Sequence, residues 1–219
     1  SIGSKAFYGC TGRATINCRI EDNWNDGWFR EAGFSEVVID NNITSVGCYA
    51  FYNCDNLTKV TIGERVETIR YDAFASCDNL QEVTLPVSVK SIESSAFDSC
   101  ENLSKAYYGG TESDWWAISF SSRGSNPVHH GGDLYIKGEA VKSMTVPSAI
   151  TSLGYQLSGI SFEEVTLHND ITEITNDAFR DCDALLSVTI PDKVAEIKSS
   201  TFYGCDALER VVLGSRVTN

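Results

Sequence analysis

The four residues Cys54-Asp55-Asn56-Leu57 return as Cys77-Asp78-Asn79-Leu80 and again as Cys100-Glu101-Asn102-Leu103, at a fixed step of 23 residues. The apolar positions keep the same step: Val60 and Val83, Ile62 and Leu85, Val66 and Val89, Ile69 and Ile92, Phe74 and Phe97. A period of this length and constancy predicts a stack of equivalent coils rather than one globular core.

Within one period, Leu57, Val60 and Ile62 carry the alternation of a short strand, with Lys59 and Thr61 on its opposite face. Gly63, or Pro86 one period on, closes that strand. Val66 and Ile69 mark a second short extended segment, and Ala73-Phe74-x-x-Cys77 has the three-residue spacing of one helical or 3₁₀ turn. About seven apolar side chains at roughly 1.5–3 kcal/mol each do not offset the ordering of a whole coil at ~1–2 kcal/mol per residue. Neighbouring coils must supply the rest, by parallel strand pairing and by continuous ladders of Phe and Cys.

The pattern A-F-x-x-C-x-x-L-x-x-V-x-I-P, followed by V-x-x-I, resembles the BspA-like leucine-rich repeats, with Leu57, Val60 and Ile62 filling the family's L-x-x-L-x-L. The resemblance covers 34–106 and 141–219 well and 1–33 loosely. It implies a leucine-rich repeat solenoid of the α/β horseshoe class, a right-handed coil of mostly short parallel β-strands with few short helical turns. It also implies a secreted or cell-surface protein, extracellular in location, with adhesion as the role attached to some members.

Several stretches depart from the pattern. Counting from Cys10 places Arg13, Ile16 and Cys18 in the strand slots, a step of 21 before Phe34, Val37 and Ile39. The turn around Trp24-Asn25-Asp26-Gly27-Trp28-Phe29 then sets Trp28 in the Phe51 slot and Glu31 in the Cys54 slot. A lone buried carboxylate is costly, so that turn is expected to open to solvent or to pair Glu31. After Ala106, Thr111 is expected to N-cap a short helix carrying Trp115 and Trp116, which point about 100° apart. One tryptophan should pack and the other face solvent. Asp133-Leu134-Tyr135-Ile136 reads as a strand rejoining the sheet, and a second array opens near Met144 with a step of 21 from Val146 to Leu167. The expected organisation is a first array over 1–106, an aromatic, glycine-rich insertion over 107–133, and a second array over 134–219. Ser1 to Phe7 aligns with Ser45 to Phe51, and the last repeat breaks off after Asn219, so the chain reads as a window in a longer protein. Any signal peptide, anchor or catalytic domain is then expected outside it.

Eight cysteines and a formal net charge of −13 bound the chemistry. Cys10, Cys54, Cys77, Cys100, Cys182 and Cys205 fall in one ladder slot, which favours buried thiols over bridges, whereas Cys48 lies off the ladder and is expected to be an exposed thiol. The negative charge disfavours nucleic acid and anionic membrane, and no apolar run approaches the roughly 18 residues that insertion requires. His129 and His130 beside Asp133 form a weak candidate for metal ligation. The acidic row Asp55, Asp78, Glu101, Asp183 and Asp206 reads first as a series of solvated turns and only second as a calcium site. No catalytic constellation, cofactor motif or metal spacing stands out, so the chain reads as no enzyme, with no catalytic residue, cofactor or metal expected.

What remains is the outer strand face. Glu36, Lys59, Glu82 and Lys105 form one row and Thr61, Thr84 and Tyr107 a second, with Trp115 and Trp116 nearby. These nine residues are the candidate ligand-binding set, for an extracellular protein or glycan partner. The alternative is a passive spacer that presents another domain.

Overall fold

The computed structural model describes residues 6–20 and 27–218. Residues 1–5 of the expected Ser1–Phe7 match, and Trp24, Asn25 and Asp26 of the irregular turn, lie outside them.

The strands are short. In chain order they are β1 (Arg13–Ile16), β2 (Glu36–Ile39), β3 (Ser45–Val46), β4 (Lys59–Thr61), β5 (Thr68–Ile69), β6 (Glu82–Leu85), β7 (Ser91–Ile92) and β8 (Lys105–Tyr108). Helix α1 (Glu112–Trp116) and β9 (Ser119–Phe120) follow, then β10 (Asp133–Ile136) and β11 (Glu139–Ala140). The remainder comprises β12 (Ser143–Thr145), β13 (Ser152–Leu153), β14 (Glu164–Thr166), β15 (Glu173–Ile174), β16 (Ser187–Thr189) and β17 (Arg210–Val212). A long sheet runs β1-β2-β4-β6-β8-β10-β11 and is parallel except for the antiparallel β10–β11 hairpin. Its counterpart on the other side of each coil is β3-β5-β7-β9, and the later coils repeat the scheme as β12-β14-β16-β17 and β13-β15. Among the described residues the chain is a β-solenoid with almost no helix.

The core is a set of ladders. Phe29, Phe51, Phe74 and Phe97 stack at ring separations of 5.1, 5.2 and 5.4 Å, within 9° of parallel, while Phe179 and Phe202 continue the motif later. The cysteine slot has its own chemistry: the thiols of Cys54, Cys77 and Cys100 donate to the carbonyls of Phe29, Phe51 and Phe74 in the preceding coil, at 3.1–3.2 Å. The thiols of Cys182 and Cys205 bond the Leu157 and Phe179 carbonyls likewise. Cysteine therefore supplies a small apolar body together with a weak donor for a buried carbonyl. Burial pushes the Cys77 and Cys182 thiols well up, which keeps them protonated donors. None of the eight cysteines is bridged.

Cys10 and Cys18 are exposed, against the ladder expectation, and Cys48 is buried rather than exposed. For Cys18 the reason is register. Ala14 pairs with Val37 and Ile16 with Ile39, so the step is 23, Ala14 and Ile16 point inward, and both Arg13 and Cys18 leave the core. The shortening falls instead in the turns, where Phe29 and not Trp28 occupies the Phe51 slot. Ala32, 2% exposed, therefore takes the Cys54 slot, and Glu31 moves to the Asn53 position, pairing with Arg30 at 3.5 Å. In the second array the step of 21 does occur, with Met144 opposite Val165 and Leu153 opposite Ile174.

The Ala-Phe segment is not a 3₁₀ helix. Tyr49 and Asn53, Asp72 and Ser76, Ser95 and Ser99, Asp177 and Asp181 all have φ between 51° and 59°. These left-handed residues interrupt the helical run and turn alternate N–H groups toward the next coil, as in Phe51 N–H to Ala73 O and Asn53 N–H to Ala75 O, at 2.7 and 2.9 Å. Each coil thus hydrogen-bonds its neighbour here as well as through its strands.

Candidate functional site

Because β2, β4, β6 and β8 pair in register, Glu36, Lys59, Glu82 and Lys105 stand side by side, with Val38, Thr61, Thr84 and Tyr107 in the adjoining row. All are half-buried. Their partners on the inward side, Val37, Val60, Val83 and Ala106, are at most 1% exposed, so the pleat leaves no choice of face. Glu82 lies between two lysines, 3.0 Å from Lys59 Nζ and 3.9 Å from Lys105 Nζ. The hydrogen bond to Glu82, and then that carboxylate's charge, push the Lys59 ammonium above its usual value. Half-exposed pairs of this kind contribute about 0.2–1 kcal/mol each.

Three residues not anticipated for this face extend both rows. Arg13 lies opposite Glu36 with Nε 3.8 Å from Oε2, Asp133 lies opposite Lys105, and Tyr135 lies opposite Tyr107. The Tyr107 and Tyr135 rings stack at 4.8 Å and 26°, and the Tyr135 hydroxyl donates to Asp133 Oδ2 at 3.4 Å. Arg13 was legible by counting 23 back from Glu36. Asp133 and Tyr135 were not, because the insertion stretches the step from Lys105 to Asp133 to 28. A depression of about 240 Å³ on the same face is lined by Arg13, Glu36, Val38, Lys59 and Thr61.

The two tryptophans do not join this face, and the expectation of one exposed ring is not met: Trp115 is 0% and Trp116 3% exposed. Helix α1 is wedged between the coils before and after it, and both rings turn inward while Ser113 takes the solvent side. Trp115 packs on Tyr108 and Phe120 and donates its indole N–H to Gln156 O at 3.0 Å, while Glu112 accepts from Thr145 N–H at 2.8 Å. Thr111 caps the helix as expected, in a reciprocal box with Asp114.

His129 is fully buried, its Nδ1–H donating to Asn126 O at 2.7 Å. Burial, helped by the charge of His130, pulls its pKa down to about 3, so the imidazole is neutral and makes no ion pair with Asp98, 4.0 Å away. Among the described residues no cluster of three or more His, Cys, Asp or Glu is arranged to hold a metal. In the acidic row, burial and then the neighbouring Asp78 raise Asp55, and the adjoining asparagines work as struts: Asn79 and Asn102 amides donate to the Asp55 and Asp78 carbonyls at 2.7 and 2.6 Å. His168 closes a turn, its Nε2 bonding Pro147 O and its Nδ1 accepting from Asp170 N–H. No helix among the described residues is long and apolar enough to cross a membrane.

Parallel strands at a 23-residue step, short turns and a continuous outward face define a leucine-rich repeat solenoid. The chain belongs to the family described as the BspA type leucine rich repeat region, whose model matches six copies over residues 22–114 and 135–219. Among solved structures it is similar to a leucine-rich repeat protein of T. pallidum, with 21% identity, 92% of this chain and 83% of that one covered, and a TM-score of 0.49. A leucine-rich repeat protein from Bacteroides ovatus is similar at 19% identity, covering 86% of this chain and 57% of that one, with a TM-score of 0.41. The pneumococcal vaccine antigen PcpA follows at 13% identity, with 100% and 80% covered and a TM-score of 0.43. No curated protein matches the chain in sequence.

Proposed function

We propose that the chain is a non-enzymatic binding module of the cell surface, which recognises an extracellular protein or glycan through the outward face of its long sheet. The observation that carries this reading is the paired row system itself: charged side chains in register beside the half-exposed Tyr107–Tyr135 stack, on a sheet whose other face is sealed. Stacked tyrosines offer rigid contact area at little entropic cost. Trp115 and Trp116 fall out of the binding set because they are buried. The surface setting rests on family membership. With a net charge of −13, attachment to basic partners is expected to weaken as salt rises, whereas attachment through the tyrosines is expected to tolerate it.

The test immobilises matrix proteins, mucin and glycans, and compares retention of the parent with a variant carrying Lys59→Glu, Lys105→Glu and Tyr107→Ala. Retention of the parent with loss in the variant supports the reading. Equal retention acquits the sheet face, and no retention on any surface, one coated with the chain itself included, even in multivalent display, leaves a spacer.

A further inference from the structure

The outward rows of the long sheet are complementary to themselves. In register order the first row is Arg13, Glu36, Lys59, Glu82, Lys105, Asp133, a strict alternation of positive and negative. A row of six such charges, turned end for end, places every positive opposite a negative. A row of five would set like against like. Asp133, delivered by the strand after the insertion, supplies the sixth charge; β11 then adds only the uncharged Ala140, opposite Tyr135, and pairs no residue with Asp133.

Two copies facing one another about a twofold axis that runs along the strands, between β4 and β6, undergo this reversal. Arg13 meets Asp133 of the second copy, Glu36 meets its Lys105, and Lys59 meets its Glu82. The same operation acts on the second row, Thr15, Val38, Thr61, Thr84, Tyr107, Tyr135. Thr61 faces Thr84, and Tyr107 arrives over Val38, where the depression of about 240 Å³ lies open to receive a ring. Charge and shape are thus satisfied by one symmetry operator, the isologous arrangement commonest among homodimers. Sheets packed face to face stand about 10 Å apart with nearly aligned strands, a gap that lysine and glutamate side chains span together.

We propose that this face docks onto a second copy of the chain, so that the adhesion is homophilic; the inference rests on the reading of the face as a docking surface and names its partner. Six strands ~4.8 Å apart, with two outward positions on each, give a patch of roughly 24 by 12 Å, about 300 Å² per copy. Stable dimers bury nearer ~800 Å² per partner, so one contact is weak and gains strength from display in many copies. Both copies carry −13, so approach is opposed at low ionic strength and eased once salt screens that repulsion.

Equilibrium sedimentation at physiological salt tests the proposal with two single variants, Arg13→Glu and Asp133→Lys, whose folding is checked by circular dichroism. The parent is expected to dimerise reversibly in the high-micromolar range. Each variant alone sets two like-charge contacts in the dimer and is expected to associate at least about tenfold more weakly. An equimolar mixture of the two restores opposite charges at both contacts and is expected to regain the parent's affinity. Arg13 and Asp133 stand at opposite ends of the row, roughly 24 Å apart in one chain, so the rescue cannot arise within a single copy. A parent that stays monomeric up to about 1 mM overturns the self-docking. So does a mixture that fails to recover, or a single variant that dimerises like the parent. Retention of a monomeric parent on matrix proteins or glycans would overturn the homophilic partner while leaving the docking face intact; failure of both measurements overturns the two readings together.

Discussion

At the scale of the residue, the positions that shape each coil are its two left-handed ones. For an L-residue this conformation costs about 1–2 kcal/mol, and glycine, then asparagine and aspartate, adopt it most readily. Asn53 and Asp181 fit that preference immediately before ladder cysteines, while Ser76 and Glu31 in the same position are held by coil-to-coil bonds, Ser76 N–H to Asp98 O at 2.9 Å and Glu31 N–H to Tyr52 O at 3.0 Å. Ser99 isolates the effect because its side chain is exposed. Ser99→Gly is expected to leave stability unchanged or raise it by up to about 1 kcal/mol, and Ser99→Val to lower it by about 1–2 kcal/mol or more. Urea melts of the two variants decide this; a valine that is neutral would remove backbone strain from the account. The repeat made these positions visible as small polar residues, but their φ became legible only once the coil-to-coil bonds were known.

The stretch between β8 and β10 departs most from the repeat, and it ties the coils before it to those after it with buried polar groups. Asn126 Nδ2 donates to Tyr155 O and Ser158 O, each at 3.0 Å, Arg123 reaches Asp181 Oδ2 at 2.6 Å, and His129 lies buried among them. His129 is a base held neutral, its pKa drawn from near 6.5 to about 3 by burial, then by His130. Between those values the unfolded chain takes up a proton that the folded chain refuses. Its contribution is therefore complete above pH ~6.5 and is lost as pH falls toward ~3, by at most about 1.4 kcal/mol per pH unit. His130, also lowered by burial, acts in the same direction. The urea midpoint, followed by tryptophan fluorescence, is expected to fall from pH 7 to pH 4.5 and to fall less in His129→Gln. An identical fall in that variant would assign the acid sensitivity to other groups. The sequence marked His129 only as a weak metal ligand, because a loop histidine carries no sign of how deeply its loop will be buried.

For the whole molecule, stability is a sum of coils and of the contacts between them. Deleting residues 60–82 removes one full period and joins Lys59 to Val83, so strands and ladders remain in phase, with only Lys59 brought beside Lys105. The shortened chain is expected to keep its far-ultraviolet spectrum and to unfold with an m-value reduced in proportion to the surface lost. Phe74→Ala acts differently, since it opens a cavity in the middle of the Phe29–Phe51–Phe74–Phe97 stack. A loss of about 3–5 kcal/mol is expected, with the coils on either side unfolding in separate steps. A deletion that collapses the fold, or a Phe74→Ala variant that melts in one unshifted transition, would contradict the additive picture.

The coil, its period, the inward ladders and the face on which Glu36, Lys59, Glu82 and Lys105 stand are all legible in the chain of residues, because each follows from the alternation of a strand repeated every 23 residues. Where the period broke, packing between distant parts of the chain set the outcome. It moved Phe29 and Ala32 into slots that counting had given to Trp28 and Glu31, turned Arg13 outward, brought Asp133 and Tyr135 onto the face across a step of 28, and buried both tryptophans. The physical reason is that a repeat propagates position by nearest-neighbour hydrogen bonds, whereas a turn of altered length or an insertion is placed by whatever surface it packs against, and that surface comes from residues far away in the chain.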